Sequence, residues 1–478
     1  MRNLTMLMDF YELTMANGYY NLGLKDEWVV FDLFYRKNPD NGGFVIAAGL
    51  EQAIDYLLNL SFNEDDIAYL RSKHLFSEDF LAYLKDLKFT GNVYGVKEGT
   101  IVYPNTPLLT IEAPLCEAQL VETMLLLTIN HQSLIATKAN RIVRAAKGRT
   151  VMEFGARRAQ GYDGAIYGTR ACYIGGVGST ATVIADQMFD VPAVGTMAHS
   201  WVQYFESEYD AFKAYAEIYP TNCVLLIDTY DAINSGVPNA IKVAKEVLEP
   251  QGHKLLGVRL DSGDLAYLSK KIRMMLDDAG LEDTKIVVSN SIDEYLLESL
   301  FDQGAMIDSF GVGERMITSS SEPVFGGVYK IVAKKQDDKY QPKIKISENV
   351  DKITNPGFKW TYRVYDQNGM GMFDFLALAD EKIDIQSLEL VDENKPYKKI
   401  TIDPSWYVEK IQYQFIKDGE LIYELPTLKQ IQDDVKLNLA KVWDEEKRFS
   451  FPHKHYVDLT RKLYDVKCEM LKNYEGKN

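Results

Sequence analysis

From residue 150 to residue 312, short apolar runs recur, each followed by a polar or glycine-rich turn and then a stretch with helical period. No other feature of the chain narrows its fold as far. A strand-then-helix order repeated in this way produces parallel strands joined by right-handed crossovers. The expected strands are Val151–Phe154, Ala193–Thr196, Val224–Ile227, Leu255–Leu260, Ile286–Val288 and Ser309–Val312. The expected helices between them are Ser179–Met188, Trp201–Glu217, Gly236–Leu248, Gly263–Ala279 and Ile292–Asp302. Pattern alone leaves open whether such units close into a barrel or lie as an open sheet.

The flanks have a different character, as a chain of 478 residues with two or three cores should. Residues 1–148 read as a mixed α+β domain, with a helix over Tyr11–Asn21, a small antiparallel sheet over Gly91–Pro114, and one long helix or a close pair over Glu117–Lys147. The barrel-type pattern occupies 149–334. Beyond it, 335–478 carries the charged loops KKQDDK and DENKPYKK, and its last fifty residues look helical.

Charge and cysteines exclude several functions. The formal net charge of −16 makes nucleic acid and anionic membranes poor partners. Asp9 and Glu12 interrupt what a signal peptide would need to be apolar, and no window approaches a membrane span. Cys116, Cys172, Cys223 and Cys468 are far apart, which fits a reducing cytoplasm and argues against a disulfide framework or zinc site.

Functional side chains in a parallel βα array gather at the carboxyl ends of the strands, where the loops converge. Here those ends read Phe154-Gly155-Ala156-Arg157-Arg158, Met197-Ala198-His199-Ser200, Asp228-Thr229-Tyr230-Asp231, Arg259-Leu260-Asp261-Ser262-Gly263-Asp264, Ser289-Asn290-Ser291 and Gly311-Val312-Gly313-Glu314-Arg315. Arg offers forked donors to phosphate oxygens, Asp holds ribose hydroxyls or metal-bound water, and the glycines let backbone N–H groups approach an anion. Residues 141–170 hold seven Lys or Arg against two acids, a local excess of positive charge in an acidic protein. Taken singly each signal has a plainer reading. The Gly-Val-Gly turn is as readily an ordinary loop, and His199 alone is more often structural. Asp228 is as readily a cap, and Phe154 and Tyr11 are core residues by default. Six such strand ends together are hard to explain as independent structural roles.

At these residues the chain resembles a known family. EFGARRAQGYDGAIYGTRACYIGGVGSTATV (153–183), GTMAHSWVQ (195–203), LIDTYD (226–231), GVRLDSGDL (257–265), FGVGERMITS (310–319) and GGVYKIV (326–332) resemble nicotinate phosphoribosyltransferases. MDFYELTMANGYY and FYRKNPDNGGFVIAAGLEQ near the N-terminus follow the same pattern. The resemblance implies an α/β fold: an irregular parallel βα barrel (149–334), an N-terminal mixed α+β domain (1–148), and a largely helical C-terminal extension (335–478) packed on the other two. It implies formation of nicotinate mononucleotide and pyrophosphate from nicotinate and phosphoribosyl pyrophosphate, with coupled ATP hydrolysis and Mg²⁺, in a homodimer with a shared active site. It further implies that Phe154 and the partner chain's Tyr11 sandwich the pyridine ring. Arg157 would neighbour the carboxylate and phosphates, and Arg259 the pyrophosphate or carboxylate. Asp228 and Asp261 would hold ribose or metal-bound water. Gly311 and Gly313, helped by Ser289 and Asn290, would receive the 5-phosphate. His199, with Ser200 beside it, would be transiently phosphorylated by ATP. No protein side chain is expected to ligate a metal directly.

The chemistry favours the same roles. Displacement at the anomeric carbon builds positive charge on the sugar and negative charge on pyrophosphate, so it needs Mg²⁺ and Arg more than a base. No G-x-x-x-x-G-K-[ST] loop is present, so ATP is expected to share the phosphoribosyl pyrophosphate pocket. Nicotinamide and quinolinate enzymes of the same fold are the near alternatives; the Phe154–Arg158 run suits a single ring carboxylate better. VLLIDTYDAINSG (224–236) lacks the adjacent acids and Thr-Gly pair of type I phosphoribosyltransferases, and no strand end offers the lysine of a barrel aldolase. A regulator that binds nucleotides without turnover is the non-enzymatic alternative.

Overall fold

The computed structural model describes residues 3–349, 352–393, 395–397 and 402–475. They gather into two compact units, one of Ile135–Pro323, the other of the residues before it and those from Val324 onward. The C-terminal third therefore shares a unit with the N-terminal segment. Within 392–399, residues 394 and 398–399 lie outside the described residues.

The unit Ile135–Pro323 is built on six parallel strands: β1 (Thr150–Glu153), β2 (Ser179–Thr180), β3 (Val224–Leu226), β4 (Gly257–Leu260), β5 (Lys285–Ser289) and β6 (Ser309–Val312). Their spatial order is β2-β1-β6-β5-β4-β3, and every pairing is parallel. Ala193 extends the β2 edge by one isolated bridge to Thr180. No backbone ladder joins that edge to β3, but side chains cross the gap, because Arg259 on β4 reaches Thr196 and Met197. The result is a curled, irregular parallel βα barrel. Leu225, Leu226, Val258, Leu260, Ile286, Val288, Phe310 and Val312 are all buried within it.

Several expected boundaries move. Ser179–Thr180 is a strand, and the helix expected from Ser179 begins only at Val183. The backbone explains this: Ala181 N–H donates to Glu153 O at 2.8 Å and Gly178 N–H to Val151 O at 2.9 Å, which holds the segment on β1. Ala193–Thr196 contributes a bridge rather than a strand. The stretch Trp201–Glu217 divides into His199–Tyr204 and Glu208–Ile218, the second capped by Ser207 Oγ accepting from Asp210 N–H at 3.1 Å. The helix expected from Gly236 starts one turn earlier, as a π turn over Ala232–Gly236 that runs into Val237–Val243. Gly236 is required there, because a Cβ would stand 1.8 Å from the Ile227 carbonyl oxygen.

The other unit contains a seven-stranded sheet, wholly antiparallel, formed in order by Lys339–Pro342, Val328–Gln336, Trp28–Phe34, Leu109–Pro114, Asn92–Val96, Gln412–Lys417 and Glu420–Leu421. The antiparallel pairing expected within Gly91–Pro114 is its centre. The first helix is Phe10–Asn21, and the expected long helix or close pair is a pair, Leu115–Leu120 and Glu122–Ala145. The C-terminal extension holds two helices in its last part, Leu428–Ala440 and Arg461–Glu475. Ahead of them the described residues are mainly strand and loop, with the short helical turn Ile385–Ser387 among them. Lys359–Tyr365, Gly371–Leu378, Leu390–Val391, Tyr407–Lys410 and Val457–Thr460 form a five-stranded mixed sheet.

Candidate active site

The carboxyl ends of β1, β3, β4, β5 and β6, with the segment that follows the Ala193 bridge, bring seven of the expected residues into one connected cluster. Arg259, the third residue of β4, is its hub. Its Nε donates to Ser289 Oγ at 3.3 Å, and its Nη1 to Thr196 Oγ1 at 3.3 Å and Met197 O at 3.4 Å. Its guanidinium carbon lies 5.6 Å from the Phe154 ring centre, close enough for a cation–π contact. Its Nη2 stands 3.8 Å from Asp261 Oδ1, the oxygen that also accepts from Ser289 Oγ.

The two aspartates are tied together. Asp228 Oδ2 accepts from Asp261 N–H at 2.8 Å and from Ser262 Oγ at 2.6 Å, which fixes the β4 turn against the end of β3. Asp228 Oδ1 is buried and has no hydrogen-bond partner among the described residues. Leaving a carboxylate oxygen in that state is costly unless something else satisfies it. His199 opens the helix His199–Tyr204; its Nδ1 lies 3.1 Å from Thr229 Oγ1 and its Nε2 4.0 Å from Asp261 Oδ2. Phe154 continues β1 by donating its N–H to Val312 O at 2.8 Å, and its ring lies on Gly311, where a Cβ would come within 2.5 Å of it. Gly311 is thus required by the ring.

Other expected residues sit at the rim without joining the cluster. Arg157, in the turn Ala156–Arg158, and Ser200 are exposed. Asn290 holds a left-handed φ of 97° and accepts from Ser291 Oγ at 3.1 Å. Gly313 turns the chain out of β6, its carbonyl accepting from Met316 and Ile317. Tyr11 belongs to the other unit, on the first helix, where it is 43% exposed. Burial and the nearby Glu122 carboxylate push its hydroxyl above the usual tyrosine range.

Sequence reading gave no individual role to Glu153, Thr229, Thr196 or Ser262, although each stands in a quoted motif. Glu153 is fully buried; its carboxylate accepts from Gly155 N–H and from the hydroxyls of Thr169 at 3.1 Å, Thr180 at 2.6 Å and Thr182 at 3.2 Å. It braces the turn that carries Phe154. An acid inside the apolar strand Thr150–Glu153 was the available signal. Burial beside Glu153 pushes the Cys172 thiol far up, and burial pushes the Cys223 thiol up to about 12, so neither is a ready nucleophile.

Comparison with known proteins decides the family. Three nicotinate phosphoribosyltransferase models match: the N-terminal domain over residues 6–130, the family model over 150–368 and the C-terminal domain over 358–467. The nicotinate phosphoribosyltransferase of Bacillus subtilis is 42% identical over 475 residues, covering 98% of this chain and 95% of its own. The chain belongs to the nicotinate phosphoribosyltransferase family. Crystallographic relatives agree. Human nicotinic acid phosphoribosyltransferase superimposes with a TM-score of 0.86 at 30% identity, over 97% of this chain and all of the other. Nicotinate-nucleotide pyrophosphorylase from Pyrococcus furiosus gives 0.70 at 25% identity, over 92% and 96%. The family is one of enzymes. Among the described residues no helix is long and apolar enough to cross a membrane.

Proposed function

We propose that the barrel cluster joins nicotinate to phosphoribosyl pyrophosphate, releasing pyrophosphate and forming nicotinate mononucleotide for NAD salvage. The observation that carries this reading is the joining of Arg259, Asp261, Asp228 and His199 beside a phenylalanine face at the strand ends. The pyridine nitrogen attacks the anomeric carbon, the bond from that carbon to pyrophosphate breaks, and both bonding electrons leave with pyrophosphate. The nitrogen loses no proton, so no base is needed. Phe154 supplies the flat apolar face for the ring. Arg259 neutralises charge growing on the leaving group, and Arg157 lies at the rim for a carboxylate or phosphate. Asp228 and Asp261 hold ribose hydroxyls. Gly311, Gly313, Ser289 and Asn290 receive the 5-phosphate.

The unpartnered Asp228 Oδ1 fits a hydrated Mg²⁺, which keeps much of its water shell and accepts carboxylates. When bound, Mg²⁺ would supply charge neutralisation on the pyrophosphate. ATP would occupy the same phosphate loops. One imidazole nitrogen of His199 attacks its terminal phosphorus, and the bond to ADP breaks; Ser200 stands beside it. The Thr229 and Asp261 contacts support this, since they hold the ring in one orientation.

A homodimer with a shared site and a cytoplasmic location complete the reading. The first helix leaves Phe10, Tyr11 and Met15 exposed, an apolar strip suited to a second copy. The division into 1–148, 149–334 and 335–478 is kept as a reading of sequence modules: the family segments 6–130, 150–368 and 358–467 follow its order, although the middle one runs past residue 334.

The deciding experiment measures mononucleotide formed from phosphoribosyl pyrophosphate and Mg²⁺ with nicotinate, nicotinamide or quinolinate, each with and without ATP. Product from nicotinate, accelerated by ATP in the native protein but not in His199→Ala, is expected. Preference for another base overturns the specificity, and full ATP stimulation in His199→Ala overturns the phosphohistidine.

A further inference from the structure

Between Ser289 at the end of β5 and the helix Glu294–Asp302, Asn290 and Ser291 hold φ of 97° and 48°. Neither is glycine, so both occupy a conformation that L side chains disfavour. Such a loop keeps its shape only if its surroundings impose it. The Ser291 to Asn290 hydrogen bond lies inside the loop and anchors it to nothing.

The anchors follow immediately. Asp293 caps the helix by accepting from Leu296 N–H at 2.8 Å, and its other oxygen accepts from Arg315 Nη1 at 2.6 Å. Arg315 belongs to the segment leaving β6. Glu294 is fully buried, with its carboxylate 2.9 Å from Lys138 Nζ and 2.7 Å from Arg141 Nε. Lys138 also donates to Ser321 Oγ at 2.9 Å, and Arg141 to the Tyr295 hydroxyl at 3.1 Å. The side chains of Lys138 and Arg141 are only 2% and 4% exposed.

A buried ion cluster of this kind is weak as a source of stability, because desolvation offsets the attraction and an apolar trio would pack as well. What it supplies is fixed geometry. It ties the helix after β5 to Ser321 beyond β6, and those are the two loops that carry Ser289, Asn290, Gly311 and Gly313. We propose that Glu294, held by Lys138 and Arg141, is a positioning residue that sets affinity for the phosphate groups of phosphoribosyl pyrophosphate without touching them. The inference rests on the reading of those loops as the phosphate site.

Steady-state kinetics on the full chain test it. Glu294→Gln keeps the side chain's volume and removes its charge. The expected result is a rise of about tenfold or more in KM for phosphoribosyl pyrophosphate, with kcat and the nicotinate KM changing less than about threefold. A purely structural role would lower the amount of folded enzyme, and so kcat, while leaving both KM values in place. Folded Glu294→Gln with an unchanged phosphoribosyl pyrophosphate KM overturns the proposal. Should that variant not fold, Ser321→Ala decides, since it removes one exposed hydroxyl and no charge. A selective rise of about threefold in the same KM is expected there, and an unchanged KM overturns the proposal. Asn290→Ala separates the two ideas. If it raises this KM while Glu294→Gln does not, only the positioning role fails; if Asn290→Ala has no effect, the phosphate-loop reading fails.

Discussion

Arg259 is asked to do most at the scale of single residues. Its fork serves Ser289, Thr196 and Met197 at once, while its planar face lies toward Phe154. A lysine carries the same charge but cannot divide three donors among those directions or stack flat on a ring. Arg259→Lys is therefore expected to lower kcat/KM for phosphoribosyl pyrophosphate by about a hundredfold, the scale of losing a directed donor to a growing anion. Circular dichroism and melting should remain native; near-native kcat/KM would remove Arg259 from leaving-group stabilisation. Arg259, Asp228, Asp261 and Ser289 were legible in sequence because a strand end is recognised locally, from an apolar run and the polar residues just after it. Glu153 was not, since Thr169, Thr180 and Thr182 reach it only after the chain has folded over β1. The orientation of His199 toward Thr229 was hidden for the same reason: the two stand thirty positions apart in the chain.

Among the elements, the mixed sheet of the C-terminal third was the least legible. Lys359–Tyr365 and Gly371–Leu378 are buried on much of both faces, so the period-two alternation that betrays a half-exposed strand is broken. The sheet is held by charges as well as apolar packing. Arg363 Nε and Nη2 bridge the two oxygens of Asp374 at 2.7 and 2.8 Å, and His455 Nε2 lies 3.3 Å from Asp374 Oδ1. His455 Nδ1 lies 3.0 Å from Glu446 Oε1, whose other oxygen accepts from the Tyr103 hydroxyl at 2.8 Å. The imidazole stacks on Tyr103 with ring centres 3.6 Å apart. Burial opposes charge on His455, but the Asp374 and Glu446 carboxylates outweigh it and raise the imidazole above its ordinary value. Arg363 and His455 together hold the buried Asp374 carboxyl down at about 2. The signs are opposite. His455 stabilises fully below its unfolded value near 6.5 and loses this as pH climbs through its raised folded value. Asp374 stabilises above its unfolded value near 3.9 and loses this as pH falls through about 2. The network should be strongest between those limits. His455→Gln should thus lower the melting temperature by about 2–4 °C more at pH 6 than at pH 9. Equal losses at both pH values would mean that the imidazole is neutral and acts by shape alone.

At the scale of the whole molecule, the barrel was legible from repetition, whereas a site shared between chains was expected only from the family resemblance. Repetition survives in sequence because each strand-turn-helix unit repeats the same local physics, whereas an interface needs surfaces that only the folded chain presents. The proposed dimer makes a prediction that separates it from a self-contained site. Tyr11 would come from one chain and Arg259 from the other, so Tyr11→Ala and Arg259→Ala should each be poorly active alone. In a mixed dimer, one site combines both lesions and is dead, but the other combines native Tyr11 with native Arg259. With random pairing half the dimers are mixed and each has one intact site, so co-expression should restore about a quarter of native specific activity. The measurement is turnover of nicotinate by the co-expressed pair, beside each variant purified separately. Recovery well above the mean of the two variants requires residues from different chains in one site. If activity stays at that mean although gel filtration and differently tagged chains show mixed dimers, then Tyr11 acts within its own chain. The exposed strip of Phe10, Tyr11 and Met15 would then need another occupant.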